Sequence, residues 1–283
     1  MDWTQSADLT FIIRLALAGV GGLATGFVGG MIGLALGRPR LLLVYWAAEN
    51  PINAAGTNIL VSGLAALTGA WTHFREGRID WQMLALMGIP TFIGAFIGGF
   101  FGGFVPRAAL LIVVGITTTW YGYRLFTGRR GGRRQQSDDN PGSSVAEGSS
   151  VALTARPKTS VNRYLQEMSL GFIIGLFGGV VGLVLGGLRL PAMIQLLKMD
   201  PRIAAGTNLA IGALTGLFGF VGHLLHLEID WAILIVLGST AMLGSYLGAK
   251  QTGKVSPRTL RKWMGGVMVI TSLPIFWLAY TQL

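Results

Sequence analysis

Long apolar runs separated by short polar turns organise this chain. Runs near 9–37, 53–74, 81–104, 107–126, 164–188, 203–226, 231–249 and 263–281 are each close to the roughly 20 residues that cross a hydrocarbon core as helix. Two shorter apolar pieces, 41–48 and 190–197, cannot cross it alone. The pattern predicts an all-α integral membrane protein. From Gly128 to Pro157 the text changes to GRRGGRRQQSDDNPGSSVAEGSSVALTARP, polar and rich in Gly and Ser, which predicts a flexible connection. Three regions follow: a first transmembrane repeat over 1–126, a basic linker over 127–163, and a second transmembrane repeat over 164–283.

The two outer regions are copies of one another. GFVGGMIGLALG (26–37) aligns with GLFGGVVGLVLG (175–186), Pro51 with Pro201, AAGTN with AAGTN, His73 with His223, and IDW (79–81) with IDW (229–231). Between 51–81 and 201–231, 13 of 31 positions are identical without a gap. A tandem repeat of this kind is the first thing to recognise in a membrane chain.

Loop charge decides how the copies are oriented, because basic residues concentrate on the cytoplasmic side. With the linker inside, its eight Lys/Arg from Arg124 to Arg163 are joined by five in the loop 250–262 and by Lys198 and Arg202. The matching first-half turn, 49–53, has none. Conversely, the turn 74–80 has Arg75 and Arg78, whereas its counterpart 223–230 has no Lys or Arg. Equivalent turns have opposite bias, which predicts inverted topology with both termini outside. Residues 9–49 and 164–198 must then each enter and return on one side. Each repeat is therefore expected to be a broken, re-entrant helical hairpin followed by three transmembrane helices. The hairpin turns are expected at LGRPRLL (36–42) and GGLRLPA (186–192), where Gly and Pro interrupt helix. Two such hairpins, entering from opposite faces, would meet at a midplane site.

The Gly-rich hairpin, the AAGTN segment opening the next helix and the IDW opening the one after it together resemble the sulfite exporter TauE/SafE family of membrane transporters. The resemblance spans both repeats. It implies a secondary transporter, acting as an exporter, of a small anion such as sulfite or an organosulfonate or carboxylate. In a bacterium this places the chain as a multi-pass protein of the inner (plasma) membrane with its linker cytoplasmic. Where the family has a G-x-G-G-G run, this chain has GLALG (33–37) and GLVLG (182–186); where it has serine after Gly-Thr, the chain has Asn58 and Asn208.

Eight residues are candidates for substrate binding. Arg40 and Arg189 align with one another in the hairpin turns, and a guanidinium at membrane depth normally faces a cavity or a partner. Its planar fork suits sulfonate or carboxylate. Arginines in turns that reach the headgroups would instead snorkel there. Thr57, Asn58, Thr207 and Asn208 lie one turn after Pro51 and Pro201, where they could bind an oxyanion beside free N–H groups or simply cap and pack. Gly37 and Gly186 complete the set at the hairpin turns. Asp80–Trp81 and Asp230–Trp231 read as helix caps with belt aromatics, and His73 and His223 as interfacial residues at helix ends.

Composition narrows the remaining classes. The chain has 283 residues, 52% hydrophobic and 12% charged, 43 glycines and no cysteine. Disulfides, thiolate metal sites and Cys nucleophiles are excluded. Neither a catalytic group, a metal site nor a cofactor is expected. A formal charge of +10 lies in loops without a nucleic-acid-binding module, so the expected partners are the anion and membrane lipid, not nucleic acid; self-association is left open. Residues 1–8 lack the basic stretch of a secretory signal, so the N-terminus is expected to be retained. No G-x-x-x-x-G-K-(S/T) is present, which points to gradients as the energy source. A membrane-embedded enzyme and a structural partner of a membrane complex are the alternatives.

Overall fold

In a computed structural model of the chain, residues 3–47, 51–101, 107–128, 161–181, 186–223 and 229–280 are described. They form α1 (Trp3–Ile32), α2 (Gly37–Ala47), α3 (Pro51–Arg75), α4 (Trp81–Phe101) and α5 (Arg107–Thr127). After the connection come α6 (Val161–Val181), α7 (Gly186–Pro191, continuing as a π-helical turn over Ala192–Leu196), α8 (Pro201–His223), α9 (Trp231–Thr252) and α10 (Pro257–Tyr280). There is no strand among the described residues. Most of the linker, 129–160, lies outside them, so the expectation for that segment does too.

Local chemistry explains the boundaries. α3, α8 and α10 each begin at a proline, which has no N–H to leave unsatisfied at a helix start. α4 and α9 begin one residue after an aspartate cap: Asp80 Oδ1 accepts from the Met83 N–H at 2.8 Å, and Asp230 Oδ1 from the Ile233 N–H at 3.0 Å. The apolar stretches Leu9–Ile32, Trp81–Gly98 and Trp231–Thr252 are long and apolar enough to cross a membrane. Large apolar side chains such as Ile12, Val20, Phe96, Ile235 and Ile270 face outward, an exterior suited to lipid rather than water.

The first hairpin breaks earlier than its sequence predicts. α1 stops at Ile32, Gly33 adopts φ +77°, and residues 34–36 are non-helical before α2 starts at Gly37. The left-handed glycine makes the break. Pro39 does not, because a proline fits the first turn of the following helix. In the second hairpin 182–185 lie outside the described residues; α7 runs through Pro191 and loosens there into the π-helical turn.

Glycine seams bring helices of the two repeats into backbone contact. α1 lies parallel to α9, with Gly22, Gly26 and Gly30 against Leu237, Ala241 and Ser245. A Cβ on Gly26 would stand 2.3 Å from the Ala241 carbonyl oxygen, and one on Gly248 1.9 Å from that of Phe27, so no larger residue fits without separating the helices. α6 lies parallel to α4 in the same way, with Gly171 against Met87 and Gly175 against Thr91. α3 and α8 run antiparallel, as Gly63–Gly216, Gly69–Leu209 and His73–Gly206 contacts show. α5 and α10 are also antiparallel, meeting at Gly122 and Gly265. Each of these seams joins a helix of one repeat to a helix of the other.

Candidate functional site

The Thr-Asn pair that occurs twice divides its work. Each threonine holds the opposite repeat: Thr57 Oγ1 accepts from the Asp230 N–H, and Thr207 Oγ1 from the Asp80 N–H, both at 3.0 Å. Both threonines are wholly buried. Each bond satisfies an N–H just outside a helix start in the other half, so the two halves are fastened reciprocally at the Asp-Trp segments. Gly206, next to Thr207, has no room for a Cβ because the Arg78 carbonyl oxygen would be 2.1 Å away.

Each asparagine holds an arginine of its own hairpin. Arg40 Nε donates to Asn58 Oδ1, and Arg189 Nε to Asn208 Oδ1, both at 3.1 Å. The amide nitrogens turn to backbone carbonyls at the hairpin turns: Asn58 Nδ2 donates to Gly37 O at 2.9 Å, and Asn208 Nδ2 to Gly186 O at 3.2 Å. Asn208 Nδ2 also donates to Gly33 O of the first hairpin at 2.7 Å. Asn208 thus joins both hairpins. Gly37 and Gly186 contribute carbonyl acceptors, and the second face of each glycine lies close to the same polar groups; a Cβ on Gly37 would be 2.5 Å from Ser62 Oγ.

Neither arginine reaches the surface. Arg40 is 2% exposed and Arg189 1%, which rules out headgroup snorkelling in this conformation. Among the described residues neither is paired with a carboxylate; the ion pairs there are Arg78–Glu76 and Arg163–Glu167. A buried cation without a counter-charge is costly, by several kcal/mol even after relaxation. Arg40 Nη2 donates to Ser62 Oγ, whose own hydrogen goes to Asn58 O at 2.7 Å. Beside Arg40 lies a cavity of about 10 Å³, room for one water, bordered also by Thr25, Ser62, Leu209 and Ser245. Leu209 follows Asn208 directly, so the two arginine clusters adjoin through α8.

The sequence candidates therefore fall into two clusters, one in each half: Arg40, Asn58 and Gly37 in the first and Arg189, Asn208 and Gly186 in the second, with Thr57 and Thr207 each bonded across to the opposite repeat. The Arg38 side chain is outside the described residues. Sequence reasoning missed Ser62, although it lies one helical turn beyond Asn58 on the same face. It also placed His73 at an interface, whereas the residue is fully buried: His73 Nδ1 accepts from Arg78 Nε at 3.0 Å, and Nε2 lies 3.1 Å from Gly30 O. Arg78 Nη2 in turn donates to Ala249 O at 2.7 Å. This cluster ties the α3–α4 turn to α1 and α9. Among the described residues no group of His, Asp and Glu forms a metal-ligand set.

An apolar exterior around a buried polar cluster beside a broken helix fits a polytopic membrane protein of the transporter class. The family model for the sulfite exporter TauE/SafE matches residues 16–275, and the chain belongs to that family of membrane transporters, not to an enzyme family. The chain is 24% identical over 286 residues to the probable membrane transporter protein YunE of Bacillus subtilis (strain 168), covering 93% of this chain and 96% of the relative. It is 24% identical over 276 residues to a probable membrane transporter protein of Xylella fastidiosa (strain Temecula1 / ATCC 700964), covering 97% and 98%. With the probable membrane transporter protein YjnA of B. subtilis it shares 26% identity over 275 residues, covering 88% and 96%. No solved structure gives a significant match.

Proposed function

We propose that this chain is a secondary transporter that exports a small anion, binding it between the hairpin turns at Arg40 and Arg189. The observation that supports this reading most is the pair of buried guanidinium groups with no carboxylate among the described residues to neutralise them. An anion would supply the missing charge, and in a low-dielectric surround its attraction to them is strong. Asn58 and Asn208 fix the guanidinium planes, Gly37 and Gly186 fix the asparagines, and Thr57 and Thr207 hold the frame. The family description makes sulfite the first substrate to test, with organosulfonates and carboxylates next.

The two halves are proposed to be inverted repeats about an axis in the membrane plane. The antiparallel α3–α8 contact and the exchanged pairings of α1 with α9 and α6 with α4 support this, as does the opposite charge bias of equivalent turns. The linker would be cytoplasmic, both termini outside, and the membrane the bacterial inner membrane. Access would alternate as one hairpin and its neighbours rock against the other. With the cell interior negative, expelling one negative charge is favoured by about 2.3 kcal/mol per 100 mV, so export does not require a coupled ion.

The test is flux. Purified protein in liposomes should release trapped radiolabelled sulfite faster than empty liposomes, and Arg40→Gln and Arg189→Gln should each slow release at least tenfold, equivalent to about 1.4 kcal/mol. Release at the empty-liposome rate, with sulfonate and carboxylate also retained, would remove the anion reading.

A further inference from the structure

The two repeats differ at one position beside the arginines. Counting along the alignment, Ser62 of α3 corresponds to Gly212 of α8. In the first half the serine hydroxyl accepts from Arg40 Nη2. In the second half that acceptor is missing, and Arg189 Nη2 is buried with no hydrogen-bond partner among the described residues. A Cβ built on Gly212 would find a single atom within 4 Å, Arg189 Nη2 itself at 3.9 Å. The place taken by Ser62 Oγ in one half is thus open in the other, and the donor that points to it is charged and unsatisfied.

A charged donor is rarely buried without an acceptor, because that forfeits its hydration with nothing in return. Arg40 meets the rule within the protein. Arg189 does not. We infer that Arg189 Nη2 and the space over Gly212 form the docking point for one oxygen of the transported oxyanion, so that the substrate is bound asymmetrically despite the repeat. Arg40, already engaged by Asn58 and Ser62, acts through its charge and its hold on the first hairpin. The inference rests on the anion-transporter reading and adds which arginine takes the ligand and which residue decides it.

The experiment titrates the purified full-length protein in detergent with sodium sulfite, reading thermal stabilisation and affinity. Gly212→Ser places a hydroxyl where Ser62 stands in the other half, and there is room for it; it should satisfy Arg189 and weaken sulfite binding at least tenfold. Adding Ser62→Gly to that variant opens the same space beside Arg40 and should recover most of the affinity. Arg189→Gln should cost at least tenfold more affinity than Arg40→Gln. That last comparison stands even if a change at position 212 impairs folding. Wild-type affinity in a folded Gly212→Ser protein, or equal losses at the two arginines, would overturn the docking point while leaving the anion reading intact. If sulfite, sulfate and methanesulfonate all fail to stabilise the wild type, the anion reading falls and the docking point with it.

Discussion

Replacing Thr57 or Thr207 by valine keeps the side-chain shape and removes the acceptor on which the other repeat depends. In each case a backbone N–H, of Asp230 or of Asp80, loses a 3.0 Å bond to a threonine that is itself 0% exposed. Leaving a buried donor unsatisfied costs about 1–3 kcal/mol, and because these bonds are part-buried the lower end of that range, about 1 kcal/mol, is expected. The aspartate caps remain, because Asp80 Oδ1 and Asp230 Oδ1 bond to Met83 and Ile233 regardless. The loss should therefore lie in the join between repeats and be similar at both positions. Equilibrium unfolding in mixed micelles measures it directly, and sulfite affinity measured alongside should change by less than about threefold, well below the tenfold of an arginine variant. A loss under about 0.5 kcal/mol at both sites, or a tenfold loss of affinity with unchanged stability, would refute the fastening role and return the threonines to the ligand.

Further outcomes follow from the same geometry. Gly248→Ala should separate α1 from α9, since its methyl would lie 1.9 Å from the Phe27 carbonyl oxygen, and lower stability by about 1–3 kcal/mol, whereas Gly187→Ala, with nothing within 4 Å, should be nearly neutral in the same unfolding assay. Arg78→Gln should destabilise by about 1–3 kcal/mol by leaving Ala249 O and His73 Nδ1 without their donor, while Arg75→Gln, on the exposed end of α3, should change little. Reporter fusions after Gln282 and within 135–150 should report opposite sides of the membrane, and agreement between them would make the repeats parallel.

Much of the helical frame was legible because apolar length is what a membrane selects. Among the described residues, the helices lie close to where the apolar runs put them, and the prolines at 51 and 201 mark the starts of α3 and α8. The first hairpin turn was read three residues late. Pro39 drew attention to Arg-Pro-Arg, but a proline near a helix start breaks nothing, whereas the conformation of Gly33 is invisible among 43 glycines. The repeat of Thr-Asn singled out residues that are buried and bonded in both halves, yet spacing alone cannot say that adjacent residues on a helix point to different partners, one to the opposite repeat and one to its own hairpin. Ser62 and Gly212 were in plain view as a mismatch in the alignment. Its meaning depended on knowing that Arg40 and Arg189 come down onto α3 and α8, which is a tertiary fact. His73 was misjudged in depth for the same reason: its partners Gly30 and Arg78 come from α1 and from the following turn.

The central claim is that the buried arginines Arg40 and Arg189, without a carboxylate partner among the described residues, exist to take an anion through the membrane. It is tested most directly by recording current from proteoliposomes on a solid-supported membrane when sulfite is added at fixed ionic strength. The predicted result is a transient current whose sign corresponds to movement of negative charge, saturating with sulfite concentration and absent from the Arg40→Gln/Arg189→Gln double variant reconstituted at equal density. A current of equal size in the double variant, or none in the wild type while it binds sulfite, would contradict it.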